Sequence, residues 1–440
     1  MNSYLTKSAL IAALGGLLFG FDTAVIAGAT GALTTVYHLT PTMLGVTVSA
    51  ALWGTILGAM FGGIPGDRYG RRASLQITGV LYLLSALGCA FAFDWNSFLI
   101  ARFLGGLGIG ASSVLGPMYI AEIAPPQKRG RLVGFFQFNI VFGILLAYFS
   151  NYLIGTMGFG DVEWRWKLGI PALPAAIFCA LLFAIPESPR WLARKGRMQE
   201  AGDVLRRAGD VNYQRDLAEI AASVDDGHGA ASEPLFTRKY KFPIFLAVSI
   251  GMFNQLSGIN AVLYYLNDIF QKAGFTKVSS DLQAVAIGAT NLLFTMIAMS
   301  VIDRIGRKKL LLIGSIGTAV AQAGVAAIFL SGAHQDLLVW CLVAFIAFFA
   351  FSQGAVIWVY LSEVFPTRVR AKGQSLGSFT HWIMNAAISA IFPVLAASSG
   401  GIPFLFFAAM MLVQFFVVLT TYPETKGYSL EEMQKKLGMA

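Results

Sequence analysis

The stretch GDRYGRR (residues 66–72) recurs in the second half of the chain as DRIGRKK (303–309). A second motif pair follows at nearly the same offset, since EIAPPQKRGR (122–131) matches EVFPTRVRAK (363–372). Two motif pairs at one offset indicate that a structural unit has been duplicated within the chain. The sequence therefore predicts two equivalent halves, with these motifs at equivalent places in each half.

The amino-acid composition indicates that both halves lie in a membrane. The 440 residues are 56% hydrophobic and 12% charged, whereas about a quarter of the residues in a soluble domain are charged. At about 20 apolar residues per crossing, the sequence predicts twelve membrane-spanning helices: 8–30, 43–64, 73–93, 98–120, 132–154, 168–185, 243–267, 283–302, 310–330, 337–361, 373–397 and 402–421. Long apolar runs that contain Gly and Ala favour helices over an outer-membrane barrel. The predicted fold is an all-α integral membrane protein with two six-helix repeats.

The distribution of basic residues predicts the orientation. Of 32 Lys and Arg, 27 fall in loops on one side of the predicted spans, so both termini are expected in the cytoplasm. The net charge of +9 is explained by this asymmetry and by anionic lipids, without nucleic acid. The predicted organisation is a first six-helix domain (1–190), a cytoplasmic helical linker (191–241), a second six-helix domain (242–422) and a cytoplasmic tail (423–440).

The repeated charged motifs allow two interpretations. They are charged turns that fix the topology, or they also clamp neighbouring helix ends in one conformation. Glu122 and Glu363 each precede an arginine by seven residues, which suggests a charge latch on the cytoplasmic side. The predicted network comprises Asp67, Arg71, Glu122, Arg129, Asp303, Arg307, Glu363 and Arg370.

One carboxylate interrupts the first apolar segment, FGFDTAVIAGAT (19–30). By helical rise, Asp22 lies about 22 Å from Lys7, and Arg102 lies about 12 Å from Asp94, which places both in the outer half of the bilayer. A buried charge costs at least about 2.5–3.5 kcal/mol, so the two are expected to pair. The pair is either a permanent salt bridge or a proton site whose carboxylate becomes neutral when the pair separates.

Amides cluster in the spans of the second half, together with aromatic residues. Neutral amides hydrogen-bond hydroxyl groups, and aromatic faces cover the C–H surface of a sugar ring. A single amide in a membrane helix usually stabilises helix packing through an interhelical hydrogen bond. Several amides that converge indicate a binding site for a neutral polyol. His381 is expected to be a neutral hydrogen-bonding residue. The candidates are Asn254, Gln255, Asn260, Asn291 and Asn385, with Gln137 in the first half and the aromatics Phe19, Tyr264, Trp358 and Trp382.

These strings resemble the sugar porter family of the major facilitator superfamily, which includes bacterial proton-coupled xylose and glucose symporters and mammalian glucose facilitators. The resemblance covers essentially the whole chain and is carried most specifically by PESPRWL (186–192), NQLSGINAVLYY (254–265) and PETKG (423–427). It implies alternating access and assigns proton coupling to Asp22 and Arg102. It also implies sugar contacts for Gln137, Gln255, Asn260, Asn291, Trp358 and Asn385, with Tyr264 as an outer-gate aromatic.

Three positions depart from the family pattern. Asn254 stands where a glutamine is usual, Ala355 replaces a proline before Trp358, and Gln353 occupies a position that is tryptophan in xylose symporters. The mammalian facilitators, which are not proton-coupled, carry a neutral residue at the position of Asp22. The resemblance therefore favours symport in this chain, although Gln353 leaves the choice between pentose and hexose open.

The sequence thus predicts a monomeric, proton-coupled monosaccharide symporter of a prokaryotic inner membrane, with no cofactor besides the proton. The alternatives are a passive uniporter of the same fold and a sugar sensor derived from a transporter. An enzyme or an ATP-driven pump is not expected, because the sequence has neither a G-x-x-x-x-G-K-[ST] loop nor a metal-spaced His/Glu cluster.

Overall fold

A computed structural model describes residues 3–210, 212–226, 233–366, 368–428 and 430–437, and this part of the chain contains helices and no β-strand. Twelve of its helical segments are long and apolar enough to cross a membrane. In chain order, spans 1 to 12 are Ser3–Gly28, Pro41–Phe61, Arg71–Ala90, Trp95–Ile123, Lys128–Thr156, Gly160–Ala184, Arg238–Tyr264, Lys277–Ile305, Arg307–Ser331, Gln335–Glu363, Arg370–Ser398 and Ile402–Thr421. The predicted fold class is confirmed.

The described residues form 22 α-helices, some within the spans and some in the segments that connect or follow them. They are α1 Ser3–Val25, α2 Thr30–Val36, α3 Pro41–Phe61, α4 Gly63–Tyr69, α5 Arg71–Ala90, α6 Trp95–Ile123, α7 Pro126–Thr156, α8 Glu163–Gly169, α9 Ala172–Leu181, α10 Pro189–Arg194, α11 Met198–Arg207, α12 Tyr213–Asp226, α13 Lys241–Leu256, α14 Ile259–Tyr264, α15 Leu266–Lys272, α16 Lys277–Ile305, α17 Arg307–Ser331, α18 Leu338–Phe351, α19 Gln353–Glu363, α20 Arg370–Ser398, α21 Ile402–Thr421 and α22 Leu430–Lys436. Helices α10 to α12 form the connection between spans 6 and 7, where the sequence predicts a helical linker.

The helices pack into two compact units. The first contains Met1–Val25, Ala50–Ala147 and Val162–Ala231, and the second contains Ile26–Ser49, Tyr148–Asp161 and Ser232–Ala440. Helices α10 and α11 bury Leu192 and Ala201 in the apolar core of the first unit. The second unit therefore includes the connection after span 1 and the beginning of span 2. The domain boundaries expected from the repeat stay a prediction.

Two spans of the second unit are broken within their length. Span 7 is interrupted between α13 and α14, where Gly258 adopts a left-handed φ of +81°. Only glycine takes this conformation without steric cost. Span 10 is interrupted at Ser352, between α18 and α19, so the break is present although Ala355 replaces the family's proline. Irregular backbone within a membrane span is tolerated where it is enclosed by protein or lines a cavity.

Close backbone contacts hold the spans of the first unit together. A Cβ atom on Gly106 of span 4 would lie 1.9 Å from the carbonyl oxygen of Ala51 in span 2. A Cβ atom on Gly20 of span 1 would lie 1.9 Å from the carbonyl oxygen of Ile140 in span 5. Because lipid supplies no hydrophobic drive for helix association, such small-residue contacts are a main source of packing energy.

We expect Gly106→Ala to destabilise the protein, since the added methyl group meets a backbone carbonyl that cannot move aside. Overpacking of this kind costs about 1–3 kcal/mol. The melting temperature in detergent, measured by size-exclusion chromatography after heating, should fall by several degrees. Gly63→Ala is the matched control, because a Cβ atom there has no neighbour within 4 Å. Equal melting of the two variants would contradict the proposed role of the Gly106 contact.

Candidate functional site

One buried ion pair of the first unit lies where span 1 meets span 4. Arg102 Nη1 donates to Asp22 Oδ1 at 3.1 Å, and both side chains are buried. Beside the pair, a Cβ atom on Gly105 would lie 2.4 Å from Ser85 Oγ, so glycine at this position lets span 3 approach span 4 closely. The sequence prediction that Asp22 and Arg102 would be neighbours agrees with this geometry, whereas a role in proton coupling is not tested by it.

The contact between these two side chains is a single hydrogen bond. Asp22 Oδ2 and Arg102 Nε are both inaccessible to water, and neither has a hydrogen-bond partner among the described residues. An arginine that serves only as a structural clamp commonly forms two parallel bonds to its carboxylate. Each side chain of the pair therefore keeps one buried polar atom without a hydrogen bond, in a place where unsatisfied groups are costly.

The amides of the second unit form a chain around the break in span 7. Asn260 Nδ2 donates to Gln255 Oε1 at 3.0 Å, and Gln255 Nε2 donates to Asn254 Oδ1 at 3.0 Å. Asn254 Nδ2 continues the chain to the carbonyl oxygen of Gln353 at 3.3 Å. We call Asn254, Gln255 and Asn260 the amide chain. It is built from neutral donors and acceptors, which suits a ligand with hydroxyl groups.

The backbone of the break is itself held by a buried amide. Gln322 Nε2, from span 9, donates to the carbonyl oxygen of Ser257 at 2.9 Å. The amide N–H of Gly258 donates to the carbonyl oxygen of Gln255 at 2.9 Å. These two backbone groups at the helix break are therefore hydrogen-bonded within the protein, which fixes the backbone that carries the amide chain.

Aromatic rings lie beside the amide chain. Gln255 Nε2 lies 3.3 Å from His381 Nδ1. The His381 ring centroid lies 5.2 Å from that of Trp358 and 5.0 Å from that of Trp382. Trp382 is buried, whereas Trp358 is 40% exposed. Trp358 thus presents an accessible aromatic face next to neutral hydrogen-bonding groups.

The remaining candidates are more dispersed. Asn385 Nδ2 donates to the hydroxyl oxygen of Tyr264 at 3.2 Å, and Asn291 is buried in span 8 of the same unit. Gln137 and Phe19 are partly buried in the first unit. The structure therefore joins Asn385 to Tyr264 directly, but it records no bond from Asn291 or Gln137 to the amide chain.

The motif GDRYGRR is the centre of a charge network at one end of the first unit. Arg71 binds Glu122 through two bonds, Nε to Oε2 at 2.9 Å and Nη2 to Oε1 at 3.0 Å. Its Nη1 donates to Asp67 at 2.9 Å. Glu187 Oε1 accepts the backbone N–H groups of Arg71 and Arg72 at 2.7 and 3.0 Å, and Ser188 donates to Glu122. The carboxylate of Glu187 thus caps the start of span 3, where the helix dipole favours negative charge.

The second unit repeats this network. Arg307 binds Glu363 through Nε at 3.1 Å and Nη2 at 2.7 Å, and it binds Asp303 at 2.9 Å. Glu424 accepts the backbone N–H groups of Arg307 and Lys308 at 2.9 and 3.1 Å, and Thr425 donates to Glu363 at 2.6 Å. The duplicated sequence motifs therefore have duplicated partners.

The expected latch partners need correction. Glu122 pairs with Arg71 instead of Arg129, and Arg129 Nε has no hydrogen-bond partner among the described residues. Glu363 is bound by Arg307, while Arg370 Nε donates to the carbonyl oxygen of Phe365 at 3.4 Å. The physical reason is that the arginine at the start of the next span lies beside the glutamate, whereas spacing along one segment does not bring side chains together.

Sequence reasoning missed several members of these networks. Glu187 and Glu424 belong to the strings PESPRWL and PETKG, and the equivalent positions of these strings after the last span of each half are the signal that identifies them. A second buried ion pair was also missed, since Lys167 Nζ lies 2.8 Å from Glu163 Oε1 in the first unit. In the second unit, buried Asp281 accepts a hydrogen bond from Asn267.

Comparison with known proteins identifies the family. The family model described as "Sugar (and other) transporter" matches residues 8–437. The D-xylose-proton symporter of Escherichia coli (strain K12) is 35% identical, over 98% of this chain and 96% of that protein. The glucose facilitated diffusion protein of Zymomonas mobilis subsp. mobilis is 36% identical, over 98% and 97%.

The fold agrees with a solved structure over nearly its whole length. The E. coli xylose transporter in a partially occluded, inward-open conformation superposes with a TM-score of 0.87 at 35% identity, over 97% of this chain and all of that one. Family match, curated relatives and fold agree with the resemblance seen in the sequence motifs. The chain belongs to the sugar transporter family, and this family consists of transporters, not enzymes.

Proposed function

We propose that this protein is a proton-coupled monosaccharide symporter that works by alternating access. The observation that carries the proposal is the single-bonded, buried Asp22–Arg102 pair in the first unit. Sugar recognition is supported by the neutral amide chain of the second unit and the accessible face of Trp358. The E. coli relative, which is named a D-xylose-proton symporter, supports the same function.

The protein itself provides a comparison for the Asp22–Arg102 pair. The Arg71–Glu122 contact is bidentate and reinforced by Asp67, as expected for a permanent clamp. The contact between Asp22 and Arg102 has one bond and two unpartnered polar atoms. Protonation of Asp22 removes the charge that holds Arg102 and leaves a buried guanidinium without a counter-charge, so the pair favours a rearrangement in which Arg102 moves to other partners or to water. A carboxylate that gains and loses a proton is therefore the role we assign to Asp22.

Proton release would then restore the charge that attracts Arg102. Protonation of Asp22 from outside frees Arg102 and favours inward return of the loaded protein. Loss of the proton on the cytoplasmic side rebuilds the pair and resets the cycle. In this scheme the proton is the coupling ion, and no other cofactor takes part.

The amide chain is assigned to the sugar. Its central residue, Gln255, is bonded to Asn254 and Asn260 and lies against His381, so a hydroxyl group that replaces one of these bonds meets a preformed neutral site. Asn291, Asn385 and Gln137 are further proposed contacts. We assign Phe19, Tyr264 and Trp382 to gating and to the aromatic cover of the ring.

The repeated charge networks are proposed to lie on the cytoplasmic side, as the distribution of Lys and Arg predicts. In this topology both termini are cytoplasmic, and the protein works as a monomer in a prokaryotic inner membrane. We further propose that 1–190 and 242–422 are duplicated six-helix domains joined by the linker 191–241 and followed by the tail 423–440. The equivalence of the Arg71 and Arg307 networks supports the duplication.

A passive uniporter is the second candidate function. It is favoured by the similarity to the Zymomonas mobilis facilitator, whose name describes diffusion without coupling. The two candidates share fold and sugar site, and they differ in whether a proton gradient drives accumulation.

We expect Asp22→Asn to abolish sugar accumulation against a gradient, because a neutral residue cannot carry the proton. Counterflow exchange at equal pH on both sides should persist, since it needs no net proton movement. Proteoliposomes with an imposed inward proton gradient provide the measurement. Asp94→Asn, which alters an exposed carboxylate of the same unit, is the control and should still accumulate. Accumulation by Asp22→Asn would refute the coupling mechanism, and its absence in the unmodified protein would favour the uniporter.

We expect Gln255→Ala to weaken the apparent affinity for the transported sugar by about tenfold or more, because unpaired polar groups cost about 1–3 kcal/mol. Gln322→Ala is the matched amide substitution, since Gln322 binds the backbone carbonyl group of Ser257 and not the amide chain. It should lower the melting temperature with a smaller change in affinity. Competition of unlabelled monosaccharides against labelled uptake measures the affinity of both variants, and thermal unfolding in detergent measures their melting temperatures. Equal affinities for Gln255→Ala and the unmodified protein would contradict the assignment.

We expect Arg71→Lys to slow transport by about fivefold or more, because an ammonium group cannot form the bidentate contact with Glu122. Arg197→Lys is the control, since its contact with Glu200 is exposed and such pairs contribute little. Initial uptake rates and melting temperatures should be measured for both variants. An uptake rate unchanged by Arg71→Lys would show that the network serves topology alone.

A further inference from the structure

A cavity of about 590 Å³ lies in the second unit, away from the amide chain. Its walls come from the connection after span 1, the start of span 2, the extension of span 7 and the ends of spans 9, 11 and 12. Most of the surface is apolar and includes Phe392 and Phe404. Asp268 and Lys272, both from α15, are the charged residues that line it. In the proposed topology this is the outer end of the protein, so the inference rests on that part of the proposed function.

Asp268 is poorly satisfied in this position. Its Oδ2 is inaccessible to water and has no hydrogen-bond partner among the described residues. Lys272, four residues further along the helix, donates to the carbonyl oxygen of Ala396 at 2.8 Å. The Thr30 hydroxyl faces the carboxyl group from the connection after span 1, but it donates to the carbonyl oxygen of Ala27 at 3.2 Å. The carboxyl group thus joins two segments without a full set of partners.

Protonation changes the stability of this contact. Burial raises the pKa of Asp268 to about 6, against the opposing influence of the Thr30 hydroxyl and the Lys272 ammonium group. An aspartate in water has a pKa of about 3.9. The packed arrangement therefore takes up a proton between about pH 4 and pH 6, and it is disfavoured by the ionised carboxylate at higher pH.

We propose that Asp268 is a second proton-binding site, whose occupation stabilises the packing of the connection after span 1 against the extension of span 7. The contact joins a segment of the first half of the sequence to one of the second half, so its stability governs closure of the outer end. Acid outside promotes this closure. The proton returns to the outside when the contact opens, so Asp268 adds pH dependence without adding to the number of protons transported.

Few other groups can account for such a response. The lining segments from spans 9, 11 and 12, at 320–332 and 386–405, contain no titratable side chain. Segment 26–49 contains Tyr37 and the exposed His38. On the span 7 side, Tyr265 and Lys272 are the titratable neighbours, and burial raises the pKa of Tyr265, which keeps it neutral. Span 8, packed against α15, begins with Lys277 and contains Asp281, which is engaged by Asn267.

Distance measurements between the two outer segments test the proposal without requiring transport. Spin labels are attached to cysteines introduced at the exposed positions Thr35 and Ser398, in a chain whose three native cysteines are replaced. Double electron–electron resonance is recorded from pH 7.5 to 4.5. We expect the fraction of short distances to rise as pH falls, with a midpoint near pH 6. The distribution in Asp268→Asn should equal that of the acid form at every pH.

Two further variants test whether the pH response comes from the Asp268 carboxyl group or from neighbouring groups. Thr30→Val should shift the midpoint upward, because it removes a hydroxyl group that favours the ionised form. It also keeps the test informative where Asp268→Asn fails to fold. His38→Gln should leave the midpoint unchanged. A pH response that persists in Asp268→Asn, or that disappears in His38→Gln, would overturn the proposal. The same titration in Asp22→Asn should be unaltered, which separates this inference from the proposed coupling site.

Discussion

Inside a bilayer there is no water to accept a hydrogen bond, so each buried charge and each free backbone group must find its partner in the chain itself. This constraint explains most of the polar structure of the protein. Lys167 is completely buried and pairs with Glu163, and Gln322 satisfies the carbonyl group that the break in span 7 leaves free. Some buried polar atoms of the described residues escape the constraint, and one carboxylate oxygen each of Asp22 and Asp268 is among them.

The charged groups of the protein differ in how completely they are hydrogen-bonded, and this difference separates structural contacts from the proposed proton sites. The Arg71 and Arg307 networks are saturated, with bidentate contacts and capped helix starts. At Asp22 and Asp268, a carboxylate oxygen is left without a partner. Saturated groups resist change in protonation or geometry, whereas unsatisfied groups respond to both. The distribution of unsatisfied carboxylates thus marks the places where a proton alters the energy of the structure.

Much of the fold could be predicted from the sequence, because hydropathy and length decide which segments span a bilayer. The predicted and observed spans differ mainly at their ends, where polar residues continue the helices beyond the apolar run, as in span 4. The proximity of Asp22 and Arg102 was also predictable, since helical rise fixes depth and burial requires a partner. Depth does not determine the number of bonds, so the single-bonded geometry could not be foreseen.

The charge networks show where sequence reasoning reaches its limit. Spacing suggested Glu122 with Arg129, but the observed partner Arg71 lies 51 residues away in the chain. Such partners depend on which helices pack together, which periodicity does not reveal. The burial of Asp268 is not predictable from the sequence for a related reason. Asp268 follows directly after the predicted end of span 7, and only the fold shows that a connection from the other half of the sequence covers it.

The cap that Glu187 provides to span 3 also constrains the order in which the protein can be assembled. Glu187 lies 116 residues after Arg71, and Glu424 lies 117 residues after Arg307. At a synthesis rate of about 5–20 residues per second, the ribosome needs roughly 6 to 23 seconds to supply each carboxylate after its helix start has emerged. During that interval the helix start is uncapped. Each network is therefore completed only after the last span of its own half has been made, so its closure coincides with the end of that half's biogenesis.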